Sequence, residues 1–201
     1  MEIKEYFSPN FNKKKRPKKS IKIIVIHYTG MQSERESLRR LCDAKSKVSS
    51  HYLINRKGRI CRLVKEKNIA WHAGKSCWRN YKNINNYSIG IELVNKGHEF
   101  GYTNFSKKQI LKLTFLCKKI IKKYNISKNN IVGHSDIAPL RKTDPGEKFP
   151  WEVLAKNNIG MWHSLKFALL KKLRKKKTKL PKDKIEFTKH LNKIGYCLNL
   201  H

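Results

Sequence analysis

Runs of apolar residues along the chain predict a set of buried strands. A nearly continuous run begins at Ile21 and ends before His27, and its β-branched residues are typical of a central strand buried on both faces of a sheet. Two later segments flank Arg56-Lys57-Gly58, a turn sequence, and therefore predict a hairpin. The segments predicted as strands are 21–26, 51–55, 59–64, 87–94 and 130–132.

Regularly spaced apolar residues predict the helices that cover this sheet. Ser33 with Glu36 three residues later is a capping box, and it predicts a helix that ends near Leu41. Ser106 is predicted to cap a longer helix with an apolar stripe along one side. The stripe consists of Ile110, Leu113, Leu116, Cys117, Ile120 and Tyr124.

These elements divide the chain into three parts. Residues 1–17 are rich in lysine and are predicted to form an irregular basic arm, while residues 18–163 carry the strands and helices of an α/β domain. Within this domain, residues 134–150 are predicted to form a loop and residues 151–155 a short helix. Residues 164–201 are predicted to be a C-terminal appendage, a lysine-rich linker followed by one helix.

Charge narrows the kind of partner. The 201 residues include 47 Lys and Arg against 14 Asp and Glu, a formal net charge of +33. Such a chain favours an anionic partner, which could be nucleic acid, anionic lipid or an acidic glycan. No apolar run approaches the length of about 18 residues that a membrane-spanning helix needs, so none is expected.

The cysteines bear on the redox environment. There are five, with wide spacing and no Cys-x-x-Cys pair, and we expect them to be reduced, which favours the cytoplasm. The polar, lysine-rich residues 1–20 do not resemble a secretory signal, although export by another route stays open. The cysteines are Cys42, Cys61, Cys77, Cys117 and Cys197.

Three potential metal ligands stand at strand ends or in a turn. His27 closes the first buried strand, His134 follows the strand at 130–132, and Asp144 lies in a loop. Two imidazoles and a carboxylate can bind zinc and leave a fourth position for water. A histidine at a strand end is also commonly a hydrogen-bonded polar residue with no ligand, so the spacing alone leaves both interpretations open.

A family resemblance favours the metal site. Six segments, in this order, resemble the zinc-dependent N-acetylmuramoyl-L-alanine amidases of the type 2 amidase family, to which bacterial recycling amidases and peptidoglycan recognition proteins belong. The resemblance covers about residues 5–163. The six segments are IVIHYTGM (24–31), SSHYLINRKGRICRLV (49–64), AWHAGKSCW (70–78), SIGIELVN (88–95), GHSDIAP (133–139) and RKTDPGEKFPW (141–151).

The resemblance implies a fold, a cofactor and a reaction. The fold is a mixed central β-sheet flanked by helices, with the metal in a surface groove. One Zn²⁺ per chain is expected on His27, His134 and Asp144, with Glu92 and Lys142 as the catalytic residues. The expected reaction is hydrolysis of the amide between the lactyl group of N-acetylmuramic acid and L-alanine. Polymeric peptidoglycan and soluble or anhydro-muropeptides all remain possible substrates.

Residues near these motifs are expected to bind substrate or support the site. Tyr28 is expected to stack on the sugar or to pack in the core, while His72 and Asn95 are candidate substrate contacts. His51 is predicted to be a structural residue beneath the site. His98 lies outside the motifs and is predicted to be exposed.

Two functions other than catalysis are also compatible with a basic chain of this kind. A non-catalytic peptidoglycan-binding module is disfavoured because every expected ligand and catalytic position holds a competent residue. Nucleic-acid binding is disfavoured because the sequence has no helix-turn-helix, RRM or zinc-finger pattern. Residues 185–198 resemble the first helix of a small three-helix peptidoglycan-binding module, too short to fold alone, and are expected to dock on the main domain or to remain mobile. Oligomeric state is not predicted.

Overall fold

A computed structural model describes residues 3–175 and 181–198 of the chain. Six of its strands form one sheet, in the order β1-β5-β4-β9-β3-β10, and β2-β6 and β7-β8 form two small antiparallel ribbons. The strands are β1 Ile3–Glu5, β2 Phe11–Asn12, β3 Ile23–Tyr28, β4 Tyr52–Ile54, β5 Ile60–Arg62, β6 Ile69–Ala70, β7 Cys77–Trp78, β8 Tyr81–Lys82, β9 Ser88–Leu93 and β10 Ile131–Gly133.

The central sheet is mixed, as the family resemblance implies. Strands β4 and β5 form the expected antiparallel hairpin, and the other neighbouring pairs are parallel. Helices flank the sheet. They are α1 Glu34–Cys42, α2 Lys107–Tyr124, α3 His134–Ile137, α4 Trp151–Ala155, α5 Phe167–Arg174 and α6 Pro181–Ile194. Within the described ranges, none of these helices combines the length and apolar character that crossing a bilayer requires.

Both faces of β3 are buried, which explains its continuous apolar sequence. Ile24 and Ile26 belong to the cluster that includes the apolar stripe of α2, whereas Ile23 and Val25 belong to the cluster on the opposite face. The predicted caps of the flanking helices are also confirmed. Ser33 Oγ accepts from the Glu36 N–H of α1, and Ser106 accepts in the same way at the start of α2.

Parallel alignment brings three strand ends together at one edge of the sheet. The register of β3 and β9 places His27 opposite Glu92, and β10 aligns Gly133 with Ile26. His134, which follows Gly133, therefore emerges beside His27. The carboxyl ends of adjacent parallel strands are where open α/β sheets commonly place ligand sites.

The N-terminal arm is more ordered than the sequence predicts. Strand β1 pairs in parallel with β5 and extends the sheet by one edge strand, and β2 pairs with β6. Arg16 is buried and donates to the Glu66 carbonyl. The prediction of an irregular arm over residues 1–17 is therefore wrong at residues 3–5 and 11–12, because an edge strand needs hydrogen bonds on one side only and carries a weak apolar pattern.

Two segments predicted as irregular contain helices. The predicted loop at 134–150 begins with the single turn of α3. Part of the lysine-rich linker forms α5. Residues 176–180 of the linker lie outside the described residues. The appendage helix is present as α6, and the residues after it dock on the main domain. Tyr196 packs edge-on against Trp78 and donates its hydroxyl to Asp136.

Two of the five cysteines are not reduced, which corrects the prediction made from their spacing. Cys77 and Cys197 form a disulfide across 120 residues of sequence. Such a separation leaves no local pattern, so sequence spacing could not identify the pair. The other three, Cys42, Cys61 and Cys117, are free thiols.

Candidate metal centre and groove

His27, His134 and Asp144 meet at the carboxyl edge of the sheet. The His27 Nδ1 atom lies 3.0 Å from His134 Nδ1 and 2.9 Å from Asp144 Oδ2, and His134 Nδ1 lies 3.2 Å from the same oxygen. All three side chains are buried, and their ligand atoms lie within 4.8 Å of one another. The structure thus brings together the three residues that the sequence singles out as metal ligands.

A glycine lets the loop that carries Asp144 approach the strand that leads to His134. A Cβ atom on Gly133 would lie 2.6 Å from Pro145 Cδ, so only glycine fits there without displacement. The Ser135 N–H donates to the Asp144 carbonyl over 2.8 Å and fixes the loop against α3. The two ligands, ten residues apart in sequence, are therefore joined by backbone contacts as well as by their side chains.

The hydrogen-bond partners and the burial of these three side chains favour the binding of a cation. His134 Nε2 lies 3.1 Å from the Ala73 carbonyl, which can only accept, so a neutral His134 carries its hydrogen there and turns the Nδ1 lone pair toward Asp144. Burial, then the neighbouring His134, lower the pKa of His27 to about 4, which keeps this imidazole neutral. Burial alone would raise the pKa of Asp144, but the contacts with His134 and His27 outweigh burial and hold it below its ordinary value. Two imidazole nitrogens and a carboxylate facing one point match the ligand set of a catalytic zinc site.

Glu92 faces the same site. Its Oε2 atom is buried, and none of the described residues forms a hydrogen bond with it. Burial, followed by the negative charge of Asp144, raises the pKa of Glu92 to about 8, while the charge of Lys142 opposes this rise. A carboxyl group with a pKa near neutrality and a free oxygen is suited to proton transfer.

Lys142 lines the same cavity from the loop before Asp144. Its backbone N–H donates to the Ala138 carbonyl over 3.0 Å, which anchors the loop, while its half-buried side chain contributes to the cavity wall. The Lys142 charge acts on the pKa values of both Glu92 and His27. It is therefore a cationic group close to the three-ligand cluster.

The ligand cluster opens into a groove with a volume of about 390 Å³. Tyr28 lies on its wall, and the Tyr28 hydroxyl is 2.8 Å from His98 Nδ1 and 3.2 Å from Thr143 Oγ1. His98 is exposed, as predicted, but it also lines the groove, a position that the sequence did not indicate. Its own segment has no regular apolar pattern, and only the fold brings it beside Tyr28.

Two of the predicted substrate contacts have their polar atoms engaged within the protein. Both ring nitrogens of His72 are in contact with protein atoms, at His27 Nε2 and Ser88 Oγ. The Asn95 amide donates to the Thr103 carbonyl over 2.7 Å, and this side chain lines a separate cavity rather than the groove.

His51 lies beneath the site, as expected of a structural residue. It is fully buried, and its Nδ1 atom accepts from the Gly90 N–H over 3.0 Å.

The family model described as N-acetylmuramoyl-L-alanine amidase matches residues 17–147, which include all three residues of the ligand cluster. The chain belongs to this amidase family. Among its relatives, N-acetylmuramoyl-L-alanine amidase AmiD of Escherichia coli is 46% identical over 154 residues, 71% of this chain and 55% of AmiD. The 1,6-anhydro-N-acetylmuramyl-L-alanine amidase AmpD of Haemophilus influenzae is 36% identical over 163 residues, 72% of this chain and 86% of AmpD. The chain thus corresponds to only about half the length of AmiD.

Solved structures of amidases share the fold. The complex of Escherichia coli AmiD with the substrate anhydro-N-acetylmuramic acid-L-Ala-D-γ-Glu-L-Lys superposes with a TM-score of 0.77 at 38% identity, covering 94% of this chain and 76% of that one. This chain therefore shares the fold of that amidase.

Proposed function

We propose that this protein is a zinc amidase that hydrolyses the bond between N-acetylmuramic acid and L-alanine in muropeptides, with one zinc ion per chain. The observation that carries the proposal is the meeting of His27, His134 and Asp144 beside a Glu92 carboxylate oxygen that has no partner among the described residues. AmiD and AmpD, by their names, act on this class of bond, which supports the same chemistry here.

His27, His134 and Asp144 would hold the zinc ion through Nδ1, Nδ1 and a carboxylate oxygen. Zinc in such a site lowers the pKa of water to about 7 and polarises a carbonyl group. Calcium and magnesium prefer shells made of oxygen ligands alone, so the two imidazoles favour zinc.

Glu92 and Lys142 supply the remaining chemistry. The Glu92 carboxylate takes the proton of the attacking water at its free oxygen and passes it to the nitrogen of the departing L-alanine. The Lys142 ammonium stabilises the negative charge that develops on the carbonyl oxygen during attack, a role that contributes about 3–4 kcal/mol in other enzymes.

The groove fits a soluble, anionic muropeptide. Arg40, Arg141 and Lys142 line it and offer positive charge to the carboxylates of a stem peptide, while Tyr28 and Trp71 offer aromatic surfaces to a sugar ring. We favour an anhydro-muropeptide as substrate, because AmiD is solved with such a molecule and AmpD is named for it.

The sequence alone predicts a cytoplasmic location. That expectation depended on reduced cysteines, and the Cys77–Cys197 disulfide favours an oxidising compartment instead. Alkylating free thiols in intact cells before lysis tests this point. Protection of both cysteines from the reagent, released by a reductant, would support an oxidising compartment, and full labelling would support the cytoplasm.

The decisive experiment combines metal content with product analysis. Purified protein is assayed for zinc and then given anhydro-muropeptides and purified sacculi side by side, with products identified by mass. We expect about one zinc per chain and release of the peptide from the soluble substrate. Binding without cleavage would contradict catalysis and favour a recognition module, and unchanged zinc content in His134→Ala would remove this residue from the site.

Variants separate the catalytic groups from the ligands. Glu92→Gln and Lys142→Ala should keep zinc and lower the rate, by about 100-fold or more for Glu92→Gln. Lys156→Ala is the matched control, since this exposed lysine pairs with Glu152 on α4 away from the groove. Full activity in either test variant would refute the role given to that residue.

A further inference from the structure

A buried chain of hydrogen-bonding groups leads from the candidate ligand His27 into the protein. His27 Nε2 lies 3.0 Å from His72 Nδ1, and His72 Nε2 lies 3.1 Å from Ser88 Oγ. Ser88 Oγ in turn lies 2.7 Å from the carbonyl oxygen of Ile84. His27, His72 and Ser88 are all buried, so solvent does not compete for these contacts.

The direction of every hydrogen bond in this chain follows from its inner end. The Ile84 carbonyl can only accept a hydrogen bond, so Ser88 donates its single hydroxyl hydrogen to it. Ser88 Oγ is then an acceptor for His72, whose hydrogen lies on Nε2. His72 Nδ1 consequently accepts from His27 Nε2, and a neutral His27 is left with a lone pair on Nδ1, the atom that faces Asp144 and His134.

We propose that His72 and Ser88 are positioning residues that fix the tautomer and the ring orientation of His27, so that its Nδ1 lone pair is presented to the metal. This inference rests on the zinc site proposed above. It gives His72 a task different from the substrate contact that its sequence motif suggested.

The surroundings of His72 are shaped to hold its ring in this place. A Cβ atom on Gly90 would lie 2.5 Å from His72 Cγ, so the ring can lie against β9 only because residue 90 is glycine. The Asn85 Oδ1 atom accepts from the backbone N–H groups of His72 and Ala73, over 3.1 and 2.8 Å, and fixes the main chain on which the ring stands.

The same short segment orients both imidazole ligands. Ala73, next to His72, uses its carbonyl to accept from His134 Nε2, while His72 uses its side chain to accept from His27 Nε2. His134 is thus held by a main-chain oxygen, which no substitution removes. His27 is held by the His72 side chain and, through it, by the Ser88 hydroxyl, and both of these groups can be removed by substitution.

The first measurement is zinc affinity, by competition with a chromophoric chelator. Loss of a group that orients a metal-binding histidine typically weakens metal binding by about 10- to 100-fold, and we expect this range for Ser88→Ala and His72→Ala. Zinc affinity should be higher in His72→Asn than in His72→Ala, because the asparagine amide oxygen can lie close to the position of His72 Nδ1 and accept from His27.

Ser8→Ala is the matched control. Ser8 is also fully buried and also donates its hydroxyl to a main-chain carbonyl, that of Leu41, but it is not connected to His27. Its zinc affinity should equal that of the unsubstituted protein. Thermal denaturation of each metal-free variant shows whether it is folded before affinities are compared.

The second measurement needs no metal. In the metal-free protein, ¹⁵N NMR should locate the His27 hydrogen on Nε2 in the unsubstituted chain and in Ser8→Ala, and move it to Nδ1 in His72→Ala. Equal zinc affinity in Ser88→Ala and Ser8→Ala, or a His27 hydrogen on Nδ1 in the unsubstituted chain, would overturn the inference. Failure of the unsubstituted chain to bind zinc would instead refute the metal site itself.

Discussion

The carboxyl group of Glu92 is subject to opposing electrostatic influences. Burial and the nearby Asp144 favour its protonated form, Lys142 favours the ionised form, and the result is a pKa of about 8. Its Oε2 atom is also left without a partner among the described residues. Because its pKa lies close to neutral pH, this carboxyl group can both accept and release a proton there, which is the property a general base and acid requires.

This balance predicts how the stability of the metal-free protein varies with pH. In the unfolded chain Glu92 loses its proton near pH 4.5, whereas in the native protein it keeps the proton up to about pH 8. The contribution to the free energy of unfolding is fully present below pH 4.5 and is lost as the pH rises to about 8. Chemical denaturation at pH 5 and pH 8 measures it. Between these two pH values, the free energy of unfolding should decrease less in Glu92→Gln than in the unsubstituted protein. Equal decreases in both proteins would contradict the raised pKa.

At the scale of elements, the site depends on how closely β10 approaches the loop of Asp144. Gly133→Ala would place a methyl group against Pro145 and push the loop away from His134. We expect a loss of about 1–3 kcal/mol in stability, as for other overpacked positions, together with weaker zinc binding. Denaturation and chelator competition measure the two effects.

Gly101→Ala controls for general destabilisation in that experiment. Gly101 has a positive φ of 93°, so alanine is strained there, but no atom in the described part of the chain lies within 4 Å of the added Cβ. Zinc affinity should remain unchanged in Gly101→Ala. If both variants lost zinc affinity to the same extent, the close approach at Gly133 would not be what positions Asp144.

Elements with a strong internal pattern could be predicted from the sequence, and elements defined by distant partners could not. The buried strand β3 and the capped helix α2 carry their signals in consecutive residues, and both are confirmed. Strand β1 is recognisable only through its pairing with β5, and α3 is a single turn within a segment rich in proline and glycine.

The candidate site shows the same division. Family motifs singled out His27, His134 and Asp144, and the fold brings them together. The tasks of neighbouring residues depend on contacts across the sheet, which motifs do not encode. His72 is in contact with Ser88 on β9, and His98 reaches the groove from a loop.

At the scale of the whole molecule, the charge of +33 should attract anionic cell-wall polymer. Deletion of residues 164–201 is expected to weaken binding to sacculi at low salt and to leave the turnover of a soluble muropeptide intact. Deletion would also remove the contact of Tyr196 with Asp136, two residues from His134. Substitution of exposed lysines is therefore the cleaner test of charge.

A variant in which three exposed lysines of the appendage are replaced by glutamine tests this attraction. The three residues are Lys171, Lys172 and Lys175. We expect weaker binding to sacculi at low salt and little change at high salt, because such attraction is screened over about 8 Å at physiological ionic strength. Pelleting assays across a salt series measure it. The control makes the same charge change with Lys107, Lys119 and Lys122 on α2. Equal losses in the two variants would assign the attraction to total charge rather than to the appendage.

The Cys77–Cys197 disulfide turns most of the chain into a covalent ring. A protease that cuts once inside this ring opens it without dividing the molecule. Trypsin acting at the exposed Lys171 or Lys172 should therefore give a protein that migrates as one species without reductant and as two fragments with it. Two fragments in both conditions would contradict the disulfide. A ring of this kind lets the protein survive a break in its cationic appendage with the C-terminal segment still attached.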